Sequence, residues 1–590
     1  MTTTTLLDDL SARFGAAFQS LGASTAHGAV NPSNRPELGQ FQCNGAMAAS
    51  KLLGKNPRDL ATTVVAALQG DELVASLSIA GPGFINVTVK DKVLAARLQQ
   101  AAADPRRGVP ADPRPLNVVV DYGGPNVAKP MHVGHLRSTI IGDSIKRTFR
   151  FLGHNAVGDI HLGDWGTQMG MLIIELEQRQ PDLPYFDAAN KGPFPKDPPV
   201  SIADLQEMYP AISSRCKEDE ALRAAAQQAT VELQQGRPGY RALWRHFVDL
   251  SIDELKADFG RLGVHFELWN GESTYLERLP SMVAEMEAAG VAVRDQGALI
   301  IPVEEPGDKE PVAPLMLLKS DGGANYATTD LATIEQRVKQ LRADLVLYVV
   351  DKRQSLHFKQ VFRAAAKTGM SGAAVLEHLP FGTMNGKDGK PFKTREGGVM
   401  RLSDLIALMT DEARKRMLEA DIASEYDEGE KDAIATKVGM AALKYADLMN
   451  MRTTDYVFDV ERFTKFEGKT GAYLLYATVR AKSILRKAAE RGIEPGAILP
   501  PTQDSERALF LALLALPEAV RRAAAERMPH HLCTFAYELA SAYSRFLADC
   551  HILTEEDAAR RAGWLAVVRA FEETMEALLG LLGIEVPQRM

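Results

Sequence analysis

Two histidines bracket a glycine in His132-Val-Gly-His135, at the end of the run Gly123-Gly-Pro-Asn-Val-Ala-Lys-Pro-Met-His-Val-Gly-His135. Imidazoles at a strand-to-helix turn can donate hydrogen bonds to phosphate oxygens, where backbone N–H groups at a helix start already favour anions. Gly134 would let a flat ring such as adenine approach the backbone. Lys129, three residues earlier, would add a point charge near the same phosphates. Alone, H-x-G-H describes equally well an ordinary helix start with locally satisfied histidines. A second candidate, Gly386-Lys-Asp-Gly-Lys-Pro-Phe-Lys-Thr-Arg-Glu-Gly-Gly398, holds four glycines and four cations. That composition suits a loop closing over a polyphosphate leaving group, and equally a plain solvated loop.

The elements around these residues are what chemistry of this kind requires. Leu116–Asp121 is a short, β-branched apolar run that reads as a buried strand, followed by a helix from about 136 to 152. Asn155–Leu162 reads as a further strand with a helix from Thr167, and the alternation recurs at 344–351 and 376–384. Strands alternating with helices predict a doubly wound parallel sheet, with ligands beyond the carboxyl ends of its strands. A polar insertion at about 180–300 separates the two halves. Residues 1–108 read as a small α+β unit, with helices at 6–21 and 58–68 and strands over 74–89 around Gly81-Pro82-Gly83, ahead of a Pro-rich linker. Beyond 400 the pattern is helical, near 402–418, 430–449, 467–491, 504–526, 530–550 and 555–582. The predicted class is therefore α/β: a Rossmann-like parallel-sheet domain at 115–400, a helical connection at 401–465 and an all-α bundle at 466–590.

At 590 residues the chain has room for three or four cores, which excludes a disordered chain, a collagen-like repeat or a small disulfide scaffold. The four cysteines are isolated, with no spacing for structural zinc, and a reducing compartment fits them best. No signal-peptide pattern and no 18-residue apolar run is found, so a soluble cytoplasmic protein is expected. The 68 basic residues against 76 acidic ones give a net charge of −8. A nucleic-acid partner must then be held by segregated basic surfaces.

The GGPNVAKPMHVGH segment, GDWGTQ at 163–168, SDGGANYATTDLA at 320–332, YVVDKRQSLHF at 348–358 and GKDGKPFKTREGG together resemble, in order, the signatures of class I aminoacyl-tRNA synthetases, specifically the bacterial type of arginyl-tRNA synthetase. GPGFIN near residue 84 resembles that family's N-terminal domain, and KYADLMNMRTTDYVFD, GAYLLYATVR and LLGIEVPQRM resemble its anticodon-binding part. The resemblance spans nearly the whole chain.

It implies that His132 and His135 stabilise the phosphorus transition state of arginine activation. Lys129, Lys393 and Arg395 would carry the phosphate charge, and Gly134, Phe392 and Thr394 would complete the ATP site. Mg²⁺ would accompany ATP, with no further metal. Pro391 stands where the general KMSKS pattern has its first lysine, and compensation by Lys129 is the expectation. Selecting a guanidinium calls for fixed carboxylates and aromatic or hydroxyl walls. Tyr326 and Asp330, spaced i, i+4, and Asp121 are the implied contacts, with Asn126 and Gln354 orienting the substrate. Many members carry a serine before Pro125; Gly123 and Gly124 occupy those places here, so that hydroxyl contact is missing. For RNA, the implied residues are Phe84 and Asn86 at the D-loop, and Tyr476, Arg480 and Met590 near the anticodon. Lys482, Arg486 and Lys487 extend the second group as a basic stripe.

The reading is thus a monomeric enzyme taking arginine, ATP and tRNA(Arg). The competing readings are an H-x-G-H nucleotidyltransferase acting without RNA and a non-catalytic tRNA-binding paralogue.

Overall fold

The computed structural model describes residues 4–590 apart from 36, 321, 391, 393–399, 423 and 424. The N-terminal unit is a four-stranded antiparallel sheet in the order Val30–Pro32, Phe41–Cys43, Phe84–Val89, Val74–Ala80, packed against the helices Leu6–Ser20, Pro57–Ala67 and Asp91–Ala103. Thr5 opens the first helix with a capping box to Asp8. The turn between the last two strands uses Gly83 at φ 141°, where a Cβ would strike the Pro57 carbonyl.

The central sheet has five parallel strands, in the order Val375–His378, Leu345–Tyr348, Asn117–Asp121, Asn155–Leu162, Leu268–Gly271. From Asn117–Asp121 the chain first builds outward on one side and later returns to build on the other. The strand order therefore reverses between Asn117–Asp121 and Leu345–Tyr348, and a crevice opens at their carboxyl ends. The run Val118, Val119, Val120 is buried on both faces, as a central parallel strand requires.

The predicted insertion at 180–300 is only partly outside the sheet. Ile202–Glu218, Glu220–Gln234 and Pro238–Arg261 are inserted helices, but Leu268–Gly271 returns as the edge strand, and Val293–Asp295, Ala298–Ile301 and Leu315–Leu318 form a separate small antiparallel sheet. The helices Leu402–Glu419 and Glu428–Leu448 then lead to a bundle of Gly471–Glu490, Asp504–Leu514, Leu516–Glu526, His530–Asp549 and Ala558–Leu581. The single helix expected over 504–526 is broken, with Pro517 entering the first turn of its second half, where a missing N–H costs nothing.

The bundle reaches back to the N-terminal unit through Arg507–Asp91 at 2.8 Å, Arg521–Asp8 at 2.9 Å and Arg107–Glu573 at 2.6 Å. Among the described residues, no helix is long and apolar enough to cross a membrane.

Candidate active site

Helix Val133–Phe151 begins at the histidine motif, directly over the carboxyl end of Asn117–Asp121. His132 is its N-cap: its Nδ1 accepts the Gly134 N–H at 3.0 Å, while the His132 N–H donates to Nδ1 of His135 at 3.2 Å. The two rings lie 4.0 Å apart between centroids. Burial lowers both pKa values, with help from the neighbouring cations, and takes His135 down to about 3. Both imidazoles are therefore neutral at pH 7. With each Nδ1 accepting, the single ring proton of each sits on Nε2. The motif thus does two jobs, capping its own helix and leaving two Nε2–H donors at an anion-favouring helix start.

A cavity of about 490 Å³ opens here. Its walls bring together six predicted residues from four places in the chain: Asp121, His132 with Gly134 and His135, Gln354, and Phe392. Phe392 is held by its N–H on the Met384 carbonyl at 3.1 Å and by an edge contact with Phe458. Lys393, Thr394, Arg395 and Pro391 lie outside the described residues.

Lys129 is not among the cavity walls. Its Nζ rests 4.5 Å from the ring centre of Tyr209 on an inserted helix, a cation–π contact, while its charge still reaches His132 and His135 and helps to lower their pKa values. Gly123 has φ 84°, and a Cβ there would press on Phe259 and Phe266, so a serine would be strained at that position. The hydroxyl beside it comes instead from Ser138, which accepts the Gly123 N–H at 2.8 Å and donates to the Val349 carbonyl at 2.6 Å.

Asp121 lines the cavity but is not a free carboxylate. In register with Asp121 are Asp159 on one neighbouring strand and Tyr348 on the other, so two carboxylates stand side by side. Arg337, fully buried, resolves the repulsion: its Nη2 lies 2.6 Å from Asp121 and 2.7 Å from Asp159. Burial alone would lower the Arg337 pKa, but the two carboxylates outweigh it and hold the group charged. An internal guanidinium thus already occupies the anion expected to read the substrate's guanidinium.

Beyond Asp121 lies a second cluster. Tyr326 and Asp330 share a face of helix Tyr326–Lys339, as their spacing predicts. Asp330 Oδ2 lies 2.6 Å from His357 Nε2, and the Tyr326 and His357 rings are 4.8 Å apart. Glu272, just past Leu268–Gly271, faces the same space. Burial pushes it up to about 7; His161 opposes the shift, and the Asp164 and Asp330 carboxylates add to it. Asp164, within the GDWGTQ segment, is held by the Ser273 N–H at 2.9 Å and the Ser273 hydroxyl at 2.5 Å. His161 also acts electrostatically on Asp121, so the cluster adjoins the cavity. Asn126 is not among the cavity walls and is bridged to Gly163.

Glu272 and His357 were not singled out from sequence. His357 lies within the YVVDKRQSLHF signature, three residues after Gln354, and an acid directly after a strand-ending glycine was the only signal for Glu272.

On the outer elements, Asn86 is buried. Its Oδ1 accepts from Gln42 at 2.8 Å and its Nδ2 donates to Ser78 at 3.3 Å, so its amide is spent inside the sheet, while Phe84 is half-buried. Tyr476 and Arg480 are exposed one turn apart on helix Gly471–Glu490, and Arg486 and Lys487 are exposed beyond them. Lys482 is turned away and paired with Glu576 and Glu572, so it leaves the expected basic stripe. Met590 packs partly buried against the core.

Comparison with known proteins matches three family models in succession. They are described as the arginyl tRNA synthetase N terminal domain at residues 7–89, the tRNA synthetases class I (R) catalytic domain at 97–460 and the DALR anticodon binding domain at 474–590. Arginine–tRNA ligase of Maricaulis maris is 51% identical over 99% of this chain and 100% of its own, and that of Hyphomonas neptunium 50% identical over the full length of both. The arginyl-tRNA synthetase of Thermus thermophilus shares the fold, with a TM-score of 0.80 at 24% identity over 99% of this chain and 100% of its own.

Proposed function

The chain belongs to the class I arginyl-tRNA synthetases, and from that premise we propose how its residues divide the work. It is an ATP-dependent arginine–tRNA ligase. The carboxylate of arginine attacks the α-phosphorus of ATP, forming arginyl-adenylate as pyrophosphate leaves. The 2′-hydroxyl of the terminal adenosine of tRNA(Arg) then attacks the arginyl carbonyl, and AMP leaves with the shared oxygen. Both steps redistribute charge more than they move protons, so positioned donors carry them.

The observation that carries the assignment of roles is the pair of neutral imidazoles with protons fixed on Nε2, at a helix start over the sheet's switch point. Their Nε2–H groups donate to the α-phosphate oxygens as the phosphorus becomes five-coordinate. Gly134 admits the adenosine beside the helix start, and Phe392 closes the cavity opposite. The carboxylates lining this cavity are engaged, Asp121 by Arg337 and Asp351 by Arg353 at 2.8 Å. A Mg²⁺ ion entering with ATP would accordingly be held by phosphate oxygens and water. Lys393 and Arg395 remain the proposed partners of the leaving pyrophosphate.

Arginine's guanidinium is assigned to the adjoining cluster, with Asp330 and Glu272 as its carboxylates and Tyr326 as its aromatic wall; Asn126 and Gln354 orient the α-amino end. Residues 1–108 and 466–590 are proposed to carry tRNA, the latter through Tyr476, Arg480 and Met590, and 401–465 to connect them to the catalytic region. The enzyme is proposed to act as a monomer, and ATP and tRNA as substrates support the cytoplasm.

Arginine-dependent ATP–pyrophosphate exchange, run with and without tRNA(Arg), tests the scheme. Exchange that appears with cognate tRNA and is lost in His135→Ala supports it, and exchange unaffected by His135→Ala overturns it.

A further inference from the structure

Arg137 stands two residues after His135 on the same helix, and none of the roles above uses it. It is buried and lines the nucleotide cavity. A guanidinium taken from water must be paired to be tolerated, and this one is paired away from the sheet domain. Its Nε lies 3.1 Å from the buried carboxylate of Asp447, at the end of helix Glu428–Leu448, and its Nη1 donates to the Thr454 carbonyl at 3.0 Å. The Tyr456 ring lies 5.1 Å from the guanidinium, and the Tyr456 hydroxyl donates to Asp447 Oδ2, the oxygen nearest the Arg137 Nε, at 3.0 Å.

The segment that Arg137 grips is the one that seats the approach to the second signature. Met384–Asn385 pairs in parallel with Tyr456–Val457, the Gly382 N–H donates to the Arg452 carbonyl at 2.8 Å, and the Thr383 N–H donates to Asp455 at 2.7 Å. The far side of that signature is tied to the histidine turn directly: the Val133 N–H donates to the Met400 carbonyl at 3.2 Å, and the Leu402 N–H to the Met131 carbonyl at 2.9 Å. One side is therefore fixed to the histidine turn by backbone hydrogen bonds; the other is tied to the sheet by the Lys352 N–H on the Phe381 carbonyl at 3.2 Å and, beyond it, to the 452–457 segment that Arg137 holds.

We propose that Arg137 is a positioning residue for adenylate formation. Through Asp447 and the Thr454 carbonyl it sets the distance between the histidine donors and the strand Met384–Asn385 that leads into the pyrophosphate-side loop. Displacing catalytic groups by about 1 Å costs on the order of 100-fold in rate. The guanidinium's planar fork is what allows one side chain to hold a carboxylate and a carbonyl together, so lysine restores the charge and only one of the two contacts.

This inference rests on the reading of His132 and His135 as the phosphate donors, and His135→Ala is the control for that reading. The test is steady-state ATP–pyrophosphate exchange with saturating tRNA(Arg) on Arg137→Gln, Arg137→Lys and Tyr456→Phe, with circular dichroism to establish the folded fraction. The expected result per folded enzyme is a kcat about 100-fold lower in Arg137→Gln, about 10-fold lower in Arg137→Lys and about threefold lower in Tyr456→Phe, with the KM for arginine unchanged in all three. A purely structural role would reduce the folded fraction and leave kcat per folded enzyme alone. If Arg137→Gln does not fold, Arg137→Lys and Tyr456→Phe decide, and wild-type kcat in both overturns the proposal. Normal kcat in the Arg137 variants together with inactive His135→Ala refutes this inference alone, whereas fully active His135→Ala refutes the underlying reading.

Discussion

The proposed nucleotide side and the proposed arginine side of the site would meet ligands of opposite charge, yet burial drives both toward neutrality. On the nucleotide side, which receives a polyphosphate, burial strips the proton charge from His132 and His135 and leaves two neutral donors. On the arginine side, which receives a cation, burial raises Glu272 to about 7, so part of the acid population carries a proton before substrate arrives. The difference lies in what each side does with its spare charge. The histidines satisfy each other and the helix start, whereas the carboxylates of Asp121 and Asp159 needed an internal arginine. A folded chain can hold neutral donors in place by backbone contacts alone, but neighbouring carboxylates must borrow a cation or wait for the ligand to bring one.

The largest test of this contrast is His135→Ala. Removing a preorganised donor costs about 10²–10³ in kcat, so exchange should fall by about that factor with the KM for arginine unchanged. Because His135 titrates near 3, the wild-type enzyme should show no histidine-dependent loss of exchange between pH 8 and pH 6.

Asp330→Asn comes next and should reverse the pattern: kcat/KM for arginine should fall about 100-fold, from the loss of a charged partner to a guanidinium, while the KM for ATP holds. Steady-state titrations of each substrate separate the two.

Glu272→Gln should be milder, raising the KM for arginine about 10-fold at pH 8. In the wild type that KM should rise as pH falls through 7, where Glu272 takes up its proton, and in Glu272→Gln the dependence should flatten. The sign for stability is opposite. An acid with a raised folded pKa gives stability that is present below its unfolded value and is lost as pH rises through about 7, so Glu272→Gln should melt at a higher temperature than wild type at pH 8.

The smallest effect tests paired against free charge on helix Gly471–Glu490. Arg480→Ala should weaken tRNA(Arg) binding a few-fold and lower the slope of log affinity against log salt by about 1, whereas Lys482→Ala, already neutralised by Glu576, should leave both unchanged.

Much of this was legible in sequence where a local pattern decides the outcome. Asn155–Leu162 and the helix from Thr167 fall where apolar alternation places them, and the H-x-G-H turn sits between strand and helix as its composition demands. Tyr326 and Asp330 share a face because a period of 3.6 residues brings them together whatever the fold. What stays hidden in the sequence is the pairing decided by a partner far along the chain. Asp121 looked free because Arg337 lies 216 residues away, and Lys482 looked like part of a basic stripe until Ala558–Leu581 packed its acids against it. Glu272 went unseen because a four-residue edge strand, Leu268–Gly271, carries too little periodicity to be told from the helical insertion before it.

The ion pairs between the N-terminal unit and the bundle have one further consequence. Arg507–Asp91 and Arg521–Asp8 are partly exposed, so raising the ionic strength loosens the seating of one unit on the other, in addition to screening the phosphate contacts proposed for them. On the proposed reading that both units carry tRNA, added salt blunts the caliper they form as well as its grip. The affinity of the whole enzyme should fall more steeply with salt than a count of its phosphate contacts predicts.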